Sequence, residues 1–209
     1  MAAHPVLLVE GQYDQQAMPS LIVKAAQSAG IFDLYPKKNP IRTGDIPSLL
    51  KTDKLTRYAL HALERNGDGV FWVLDCDDFC AVESARYFVK ILLPIVKRCN
   101  KPFALCFLVK EYESLFLADY PAVFERAGVR ARKKFEFDPT LCEDFRDAKG
   151  ILKQIMGRNY RPMRFQSKLT NELDIKKAQQ HSRSLRHLVS AVKWYASVNK
   201  QGKVYPNAL

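Results

Sequence analysis

The chain has 209 residues, of which 47% are hydrophobic, and this length suits one α/β domain or a domain with an appendage. No run of 18 apolar residues occurs, so we expect neither a membrane-spanning helix nor a membrane partner. The five cysteines are odd in number and have no matching pair at zinc-site spacing, which favours free thiols in a cytoplasmic protein.

The net charge of +11 is distributed unevenly along the chain. Residues 1–125 contain 14 Lys and Arg against 15 Asp and Glu, whereas residues 126–209 contain 19 against 7. Because concentrated positive charge suits a polyanion, nucleic acid is the expected partner. A solvated basic face, or a surface for an acidic protein, would have the same composition.

The first half of the chain alternates between apolar runs typical of buried strands and segments with helical spacing. HPVLLVEG is the first predicted strand, and a helix is predicted over 14–30. Asp45 is placed to cap a second helix over 46–67, and Asp78 to cap a third over 78–100. The strands GVFWVLD and KPFALCFLVKEYE lie on either side of that third helix.

This order of elements predicts an α/β fold with a mainly parallel sheet and helices on both faces. Residues 1–120 form the predicted core. Beyond residue 120 the sequence changes to basic loops and amphipathic helical segments. Residues 121–209 are therefore predicted to be a basic, mainly helical extension packed on the core.

Acidic residues stand at the ends of three predicted strands. Glu10 ends the first, Asp75 and Asp77 end the strand GVFWVLD, and Glu111 and Glu113 end the last. Parallel strands have their carboxyl ends at one edge of the sheet, where such folds place ligand sites, so we expect these carboxylates to converge. Carboxylates that lie so close together repel one another, so a cation should neutralise them. Mg²⁺ or Mn²⁺ is the expected cofactor.

Several roles are open for these acids. Glu10, Asp75 and Asp77 can hold one ion, and Glu111 or Glu113 can hold a second ion about 4 Å away. Alternatively, Glu10 can act as a general acid or base beside a single ion. Asp75 also fits a simple turn after its strand. Glu111 and Glu113 also fit the first turn of a following helix, where negative charge is favourable.

Basic residues of the second half are candidate contacts for the phosphates of a nucleic acid. These candidates are Arg130, Arg132, Lys133, Lys134, Arg161, Arg164, Arg183 and Arg186. Phe135, Phe137 and Phe165 are interleaved with them and could stack on bases, although the alternation also describes an ordinary strand. Lys149 could neutralise a transition-state oxygen, although a lysine on an amphipathic helix more often faces solvent.

Two segments, LLVEGQYDQQAM and FWVLDCDDF, resemble the Toprim domain, whose hallmark is a Glu-Gly pair after the first strand and a DxD after the third. Glu10 with Gly11, and Asp75 with Asp77, match it position by position. The segment LVKEYESLFLAD resembles an uncharacterised stand-alone Toprim-like family of prokaryotic defence loci, related to overcoming-lysogenization-defect nucleases. Four residues stand at places comparable to that family's: Glu111, Glu113, Asp119 and Lys149.

The resemblance implies a Toprim/Rossmann-like fold over about residues 5–120, and a stand-alone nuclease that works with a separate ATPase in anti-phage defence. We therefore predict an Mg²⁺-dependent nuclease that cleaves phosphodiester bonds in DNA or RNA. A homo-oligomer is a further candidate partner arrangement. The predicted catalytic residues are Glu10, Asp75, Asp77 and Lys149. The alternative is a non-catalytic subunit that binds nucleic acid or an ATPase through its basic surface. Nucleotidyl transfer would use the same acids, but the sequence has no motif for nucleoside triphosphates.

Overall fold

The structure is a computed structural model that describes residues 2–51, 53–132, 135–157, 159–197 and 200–207. Within these residues five strands form one sheet in the order β2-β1-β3-β4-β5, and every pairing is parallel. The strands are β1 (Val6–Val9), β2 (Ile41–Arg42), β3 (Val70–Asp75), β4 (Phe103–Leu108) and β5 (Val204–Tyr205).

Ten α-helices surround the sheet in the described part of the chain, together with a short 3-10 helix at Pro139–Leu141. In the first half they are α1 (Asp14–Ser28), α2 (Ile46–Leu50), α3 (Lys54–Glu64), α4 (Ala81–Cys99) and α5 (Ser114–Leu117). In the second half they are α6 (Ala122–Arg126), α7 (Ala148–Ile155), α8 (Pro162–Glu172), α9 (Ile175–His181) and α10 (Arg183–Ala196).

Alternate residues of the strands pack on opposite faces of the sheet, because successive side chains of a strand point to opposite sides. Leu7, Val9 and Phe71 belong to one buried cluster, which includes residues of α1, α8 and α10. Leu8 and Trp72 belong to the other, which includes residues of α2, α3 and α4. The predicted α/β fold, with a parallel sheet covered on both faces, is confirmed.

Two predicted helix boundaries are wrong. The helix predicted over 46–67 is two helices, α2 and α3, although Asp45 does cap the first by accepting a hydrogen bond from the Ser48 backbone N–H at 2.9 Å. The helix predicted from Asp78 begins at Ala81, after Cys80. Near the end of the chain, Ser182 separates α9 from α10: its extended backbone ends α9, and its hydroxyl accepts a hydrogen bond from the Leu185 N–H at the start of α10.

Residues after position 120 contribute directly to the sheet and its cover. The two-residue strand β5 pairs with β4 at the edge of the sheet, which the sequence did not predict. Helix α10 packs on β4 and α1, and α8 packs on α1. The division into a core and an extension at residue 120 stays a prediction.

The strand order creates a crevice between β1 and β3. The chain moves from β1 to β2 on one side and then returns to place β3 on the other side of β1. In sheets with this order, the crevice at the carboxyl ends of the two strands is the usual ligand site. Among the described residues, no helix is both long enough and apolar enough to cross a membrane.

Candidate active site at the carboxyl ends of the central strands

Glu10 and Asp75 stand side by side at the crevice, because Glu10 directly follows β1 and Asp75 is the last residue of the neighbouring strand β3. The Glu10 Oε2 accepts a hydrogen bond from the Asp75 backbone N–H at 3.2 Å. The Gly11 N–H donates to Asp14 Oδ2 at 2.8 Å, and a Cβ at Gly11 would lie 2.9 Å from that oxygen. A glycine at this position therefore lets the Asp14 carboxylate approach the turn that carries Glu10.

Asp77 is exposed and lies two residues beyond the end of β3. Its φ of 47° is left-handed, a conformation that Asp and Asn tolerate better than most residues. The Asp77 N–H donates to the Lys110 carbonyl at 3.0 Å, so the segments that follow β3 and β4 remain hydrogen-bonded past the sheet. This fixes the turn that carries Asp77.

Four carboxylates, Glu10, Asp14, Asp75 and Asp77, form what we call the acidic edge. Burial, then the charge of Asp77, raises the pKa of Glu10 to about 7. Burial, then the charges of Glu10 and Asp14, raises the pKa of Asp75. Partial loss of hydration, then the charge of Asp78, raises the pKa of Asp77. The acidic edge therefore favours taking up a proton or a cation.

Lys149, in the first turn of α7, faces the two glutamates that follow β4. Its Nζ lies 3.8 Å from Glu111 Oε1 and 3.9 Å from Glu113 Oε1, and its backbone N–H donates to Glu111 Oε2 at 2.9 Å. Burial alone would lower the pKa of Lys149, but the charges of Glu113, Glu111 and Asp75 outweigh burial and raise it. Lys149 is therefore a fixed ammonium group beside the acidic edge.

Glu113 is buried, and its Oε1 accepts a hydrogen bond from the Tyr160 hydroxyl at 3.1 Å. Burial, only partly offset by the charge of Lys149, raises the pKa of Glu113 to about 7. Because β4 ends at Leu108, Glu111 and Glu113 lie in a turn, and the extended segment required to place both on one side of a strand is not present.

Two acidic residues of the predicted sites have other partners. Asp78 does not cap α4: its exposed carboxylate pairs with Arg146 Nη2 at 2.9 Å and with Lys110 Nζ at 3.4 Å. Asp119 is buried, and its Oδ2 accepts from the Asp174 N–H at 2.8 Å. That bond joins Asp119 to the start of α9.

The basic residues at 130–132 and 161–164 come together, although they are about 30 positions apart. They line a cavity of about 1140 Å³, which we call the basic cavity. Its charged lining residues are Arg130, Arg132, Arg161, Arg164 and Lys168, of which Lys168 was not predicted. Lys133 and Lys134 lie outside the described residues.

Arg183 and Arg186 do not line the basic cavity. Arg183 Nε lies 3.3 Å from the buried Glu143 Oε2. Arg186 Nη1 donates to the carbonyl oxygens of Gln179 and Gln180 at 2.6 and 3.1 Å. Both arginines thus have partners within the fold, at the start of α10.

Helix α8 joins the acidic edge to the basic cavity. Its buried Gln166 donates to Asp14 Oδ1 at 2.7 Å. Arg164 and Lys168, each two positions away on the opposite side of the helix, line the cavity. The sequence did not predict Asp14 or Gln166 as site residues; the local signal for Asp14 was its place as an acid in the first turn of α1.

Residues 9–193 match the model of a protein family described as a domain of unknown function, DUF4276. This chain belongs to the DUF4276 family. Among solved structures, it is similar to the C-terminal region of the Burkholderia pseudomallei OLD protein, with 13% identity, 94% of this chain and 100% of that chain covered, and a TM-score of 0.43. No curated protein sequence matches it.

The DUF4276 span contains both the acidic edge and the basic cavity, whereas β5 lies beyond it. Within the described residues of this DUF4276 chain, no three His, Cys, Asp or Glu side chains are arranged to hold a metal ion. Magnesium, however, often binds through one or two carboxylates and completes its shell with water and substrate phosphates. The carboxylate oxygens of the acidic edge fit that mode of binding.

Proposed function

We propose that this DUF4276 protein is a metal-dependent nuclease that hydrolyses phosphodiester bonds in DNA or RNA. One observation carries the proposal: Glu10 and Asp75 meet at the crevice between β1 and β3, with Asp77 close enough to raise the pKa of Glu10. The Toprim resemblance of the same residues supports the same reaction.

Asp75 and Asp77 are the proposed holders of Mg²⁺ or Mn²⁺. When bound, such an ion polarises the phosphate and makes a water molecule more acidic. Glu111 and Glu113 stay candidates for holding a second ion. Their carboxylates already face the Lys149 ammonium, which favours a single ion at the acidic edge.

Glu10 and Lys149 have the proposed remaining roles. Glu10 lies beside Asp75, whose backbone N–H fixes its carboxylate, and is placed to exchange a proton with the attacking water or the leaving oxygen. Lys149, whose position is set by Glu111 and Glu113, would neutralise charge on the phosphate oxygens.

The basic cavity is the proposed binding site for the nucleic acid. Arg183 and Arg186 are retained as peripheral phosphate contacts only. A cytoplasmic role in anti-phage defence, a separate ATPase partner and a homo-oligomeric state are further proposals that rest on the Toprim resemblance.

A non-catalytic nucleic-acid-binding subunit is the second candidate. It is favoured by α8, which stands between the basic cavity and the acidic edge, so that binding in the cavity does not by itself bring a phosphate to the carboxylates. A cleavage assay separates the two functions.

The test incubates the protein with plasmid, single-stranded DNA and transfer RNA, in Mg²⁺, Mn²⁺ or EDTA. We expect cleavage that requires the divalent ion, and we expect Asp77→Asn to reduce it at least about 100-fold, since a bound cation supplies several kcal/mol of charge stabilisation. Asn suits the left-handed backbone at position 77 better than Ala would.

Glu64→Gln is the control, because Glu64 is exposed at the end of α3 and does not belong to the acidic edge. It should cleave at the wild-type rate. Absence of cleavage under every metal condition, together with tight nucleic-acid binding, would establish the non-catalytic function.

A further inference from the structure

The described residues of the basic cavity hold their positive charge without a carboxylate partner. In the described part of the chain, none of Arg130, Arg132, Arg161, Arg164 and Lys168 forms an ion pair, and no acid lines the cavity. Cations gathered in a concave site concentrate the local field and attract anions. The cavity is therefore prepared for a ligand with several negative charges.

The backbone leaves room for one of these arginines. The Arg132 N–H donates to the Ile155 carbonyl at 2.8 Å, so the loop that carries Arg132 is attached to the end of α7. Gly157 has a φ of 61°, and a Cβ there would lie 2.5 Å from Arg132 Cδ. Any side chain at position 157 would displace Arg132. The absence of a side chain at Gly157 therefore makes room for Arg132 in this cavity.

The shape of the cavity limits what can enter. Its volume of about 1140 Å³ is slightly above the upper end of the roughly 300–1,000 Å³ range of small-molecule sites. A few nucleotides fit such a recess. A duplex presents a convex surface that proteins read by inserting a helix or ribbon into a groove, and a recess offers nothing to insert.

The lining also offers a surface for bases. Phe165 lines the cavity with Val129 and Met156. The Arg164 guanidinium lies 5.2 Å from the centre of the Phe165 ring, and the Tyr160 ring stacks on that ring from 6.3 Å. Aromatic and arginine planes bind unstacked bases, which a single strand offers and a duplex does not.

We propose that the basic cavity binds a single strand of nucleic acid in preference to a duplex. The proposal rests on the proposed function, since the bound strand would be the nuclease substrate. The strand would leave the cavity past Arg161, at the start of α8, and reach the acidic edge on the other side, where the adjacent Tyr160 contacts Glu113.

The experiment measures binding by fluorescence anisotropy in EDTA, where no cleavage occurs. The probes are a labelled oligonucleotide, the duplex of the same sequence and a labelled nucleoside triphosphate. The proteins are the wild type, the double variant Arg161→Glu with Arg164→Glu, and the control Arg98→Glu. Arg98 is exposed on α4, which packs on the opposite face of the sheet.

We expect the single strand to bind at least about tenfold more tightly than the duplex or the triphosphate. The double variant should weaken single-strand binding at least about tenfold and lower the slope of log affinity against log salt by about 0.7 for each phosphate that the protein no longer neutralises. Arg98→Glu should change neither, and unchanged thermal unfolding of the variants excludes misfolding.

Equal or tighter binding of the duplex, triphosphate binding as tight as that of the strand, or equal effects of the cavity and control variants would each overturn the proposal. Failure of the nuclease proposal is a separate result: it would appear as preserved single-strand binding with no cleavage in Mg²⁺ or Mn²⁺.

Discussion

The acidic edge and the basic cavity lie on two sides of α8 and hold their charges differently. Glu10 and Asp75 leave adjacent buried strands, and a backbone N–H fixes the Glu10 carboxylate. Arg161 and Arg164 are exposed side chains at the start of a helix, with no carboxylate partner among the described residues. Fixed groups suit bond cleavage, whereas long, unpaired side chains suit a ligand of variable shape.

The two regions also differ in what they lack. The raised pKa values of Glu10 and Asp75 show that the folded chain resists carrying their charges together. The basic cavity has the opposite need, for anions. A phosphodiester with a divalent cation satisfies both regions at once, and variants that act on one region only can test this division.

The largest effect expected is from Glu10→Gln. The Gln side-chain oxygen can still accept the Asp75 N–H, so the loss is confined to charge and proton transfer. We expect the single-turnover cleavage rate to fall by about 10²–10⁴-fold, with single-strand affinity in EDTA unchanged. Glu64→Gln, at an exposed position on α3, is the control. A Glu10 variant that cleaves at the wild-type rate, or one whose single-strand affinity falls as much as its cleavage rate, would contradict separate roles for the two regions.

The next effect concerns stability and pH at Glu113, which is 2% exposed. Burial raises its pKa from 4.5 to about 7, so the folded chain retains this proton to higher pH than the unfolded chain. The associated stability is fully present below the unfolded pKa of 4.5 and is lost as the pH rises through the folded pKa of about 7.

Glu113→Gln removes this dependence, because Gln stays neutral. The difference in the free energy of unfolding, variant minus wild type, should rise by about 3 kcal/mol between about pH 4 and about pH 8. Urea denaturation in EDTA at each pH measures it, and Glu64→Gln should show no such trend. A difference that is constant with pH would mean that Glu113 is ionised normally in the folded chain.

The smallest effect is from Tyr160→Phe, which removes the hydroxyl that donates to Glu113. We expect a loss of about 1–2 kcal/mol in the free energy of unfolding, because a buried acceptor loses its donor. Tyr195→Phe is the matched control, since the buried Tyr195 hydroxyl has no hydrogen-bond partner in the described part of the chain. Equal losses in both variants would show that the Tyr160 hydroxyl contributes no specific bond.

The convergence of Glu10 and Asp75 was predictable because it follows from strand order alone. Apolar runs that alternate with helices predict a parallel sheet, and acids placed directly after such strands must meet at one edge. The sequence predicted that the second half of the chain is basic, but it did not predict that Arg130, Arg132, Arg161 and Arg164 would line one cavity. Their shared cavity depends on how the loop at 128–132 packs beside α8.

The missed residues depend on contacts between distant parts of the chain. Gln166 reaches Asp14 across 152 positions, through the packing of α8 on α1. No local pattern indicates such a contact. Asp78 was assigned wrongly for a related reason: its sequence position suits a cap, but Arg146 and Lys110, from two other segments, attract its carboxylate.

Crystals soaked in Mn²⁺ would show where the metal binds, because anomalous scattering locates the ion. We expect a peak at the acidic edge, within coordination distance of Asp75 or Asp77, in the wild type and no such peak in crystals of Asp77→Asn. A wild-type crystal with no peak at the acidic edge, or with manganese bound only elsewhere, would contradict this expectation.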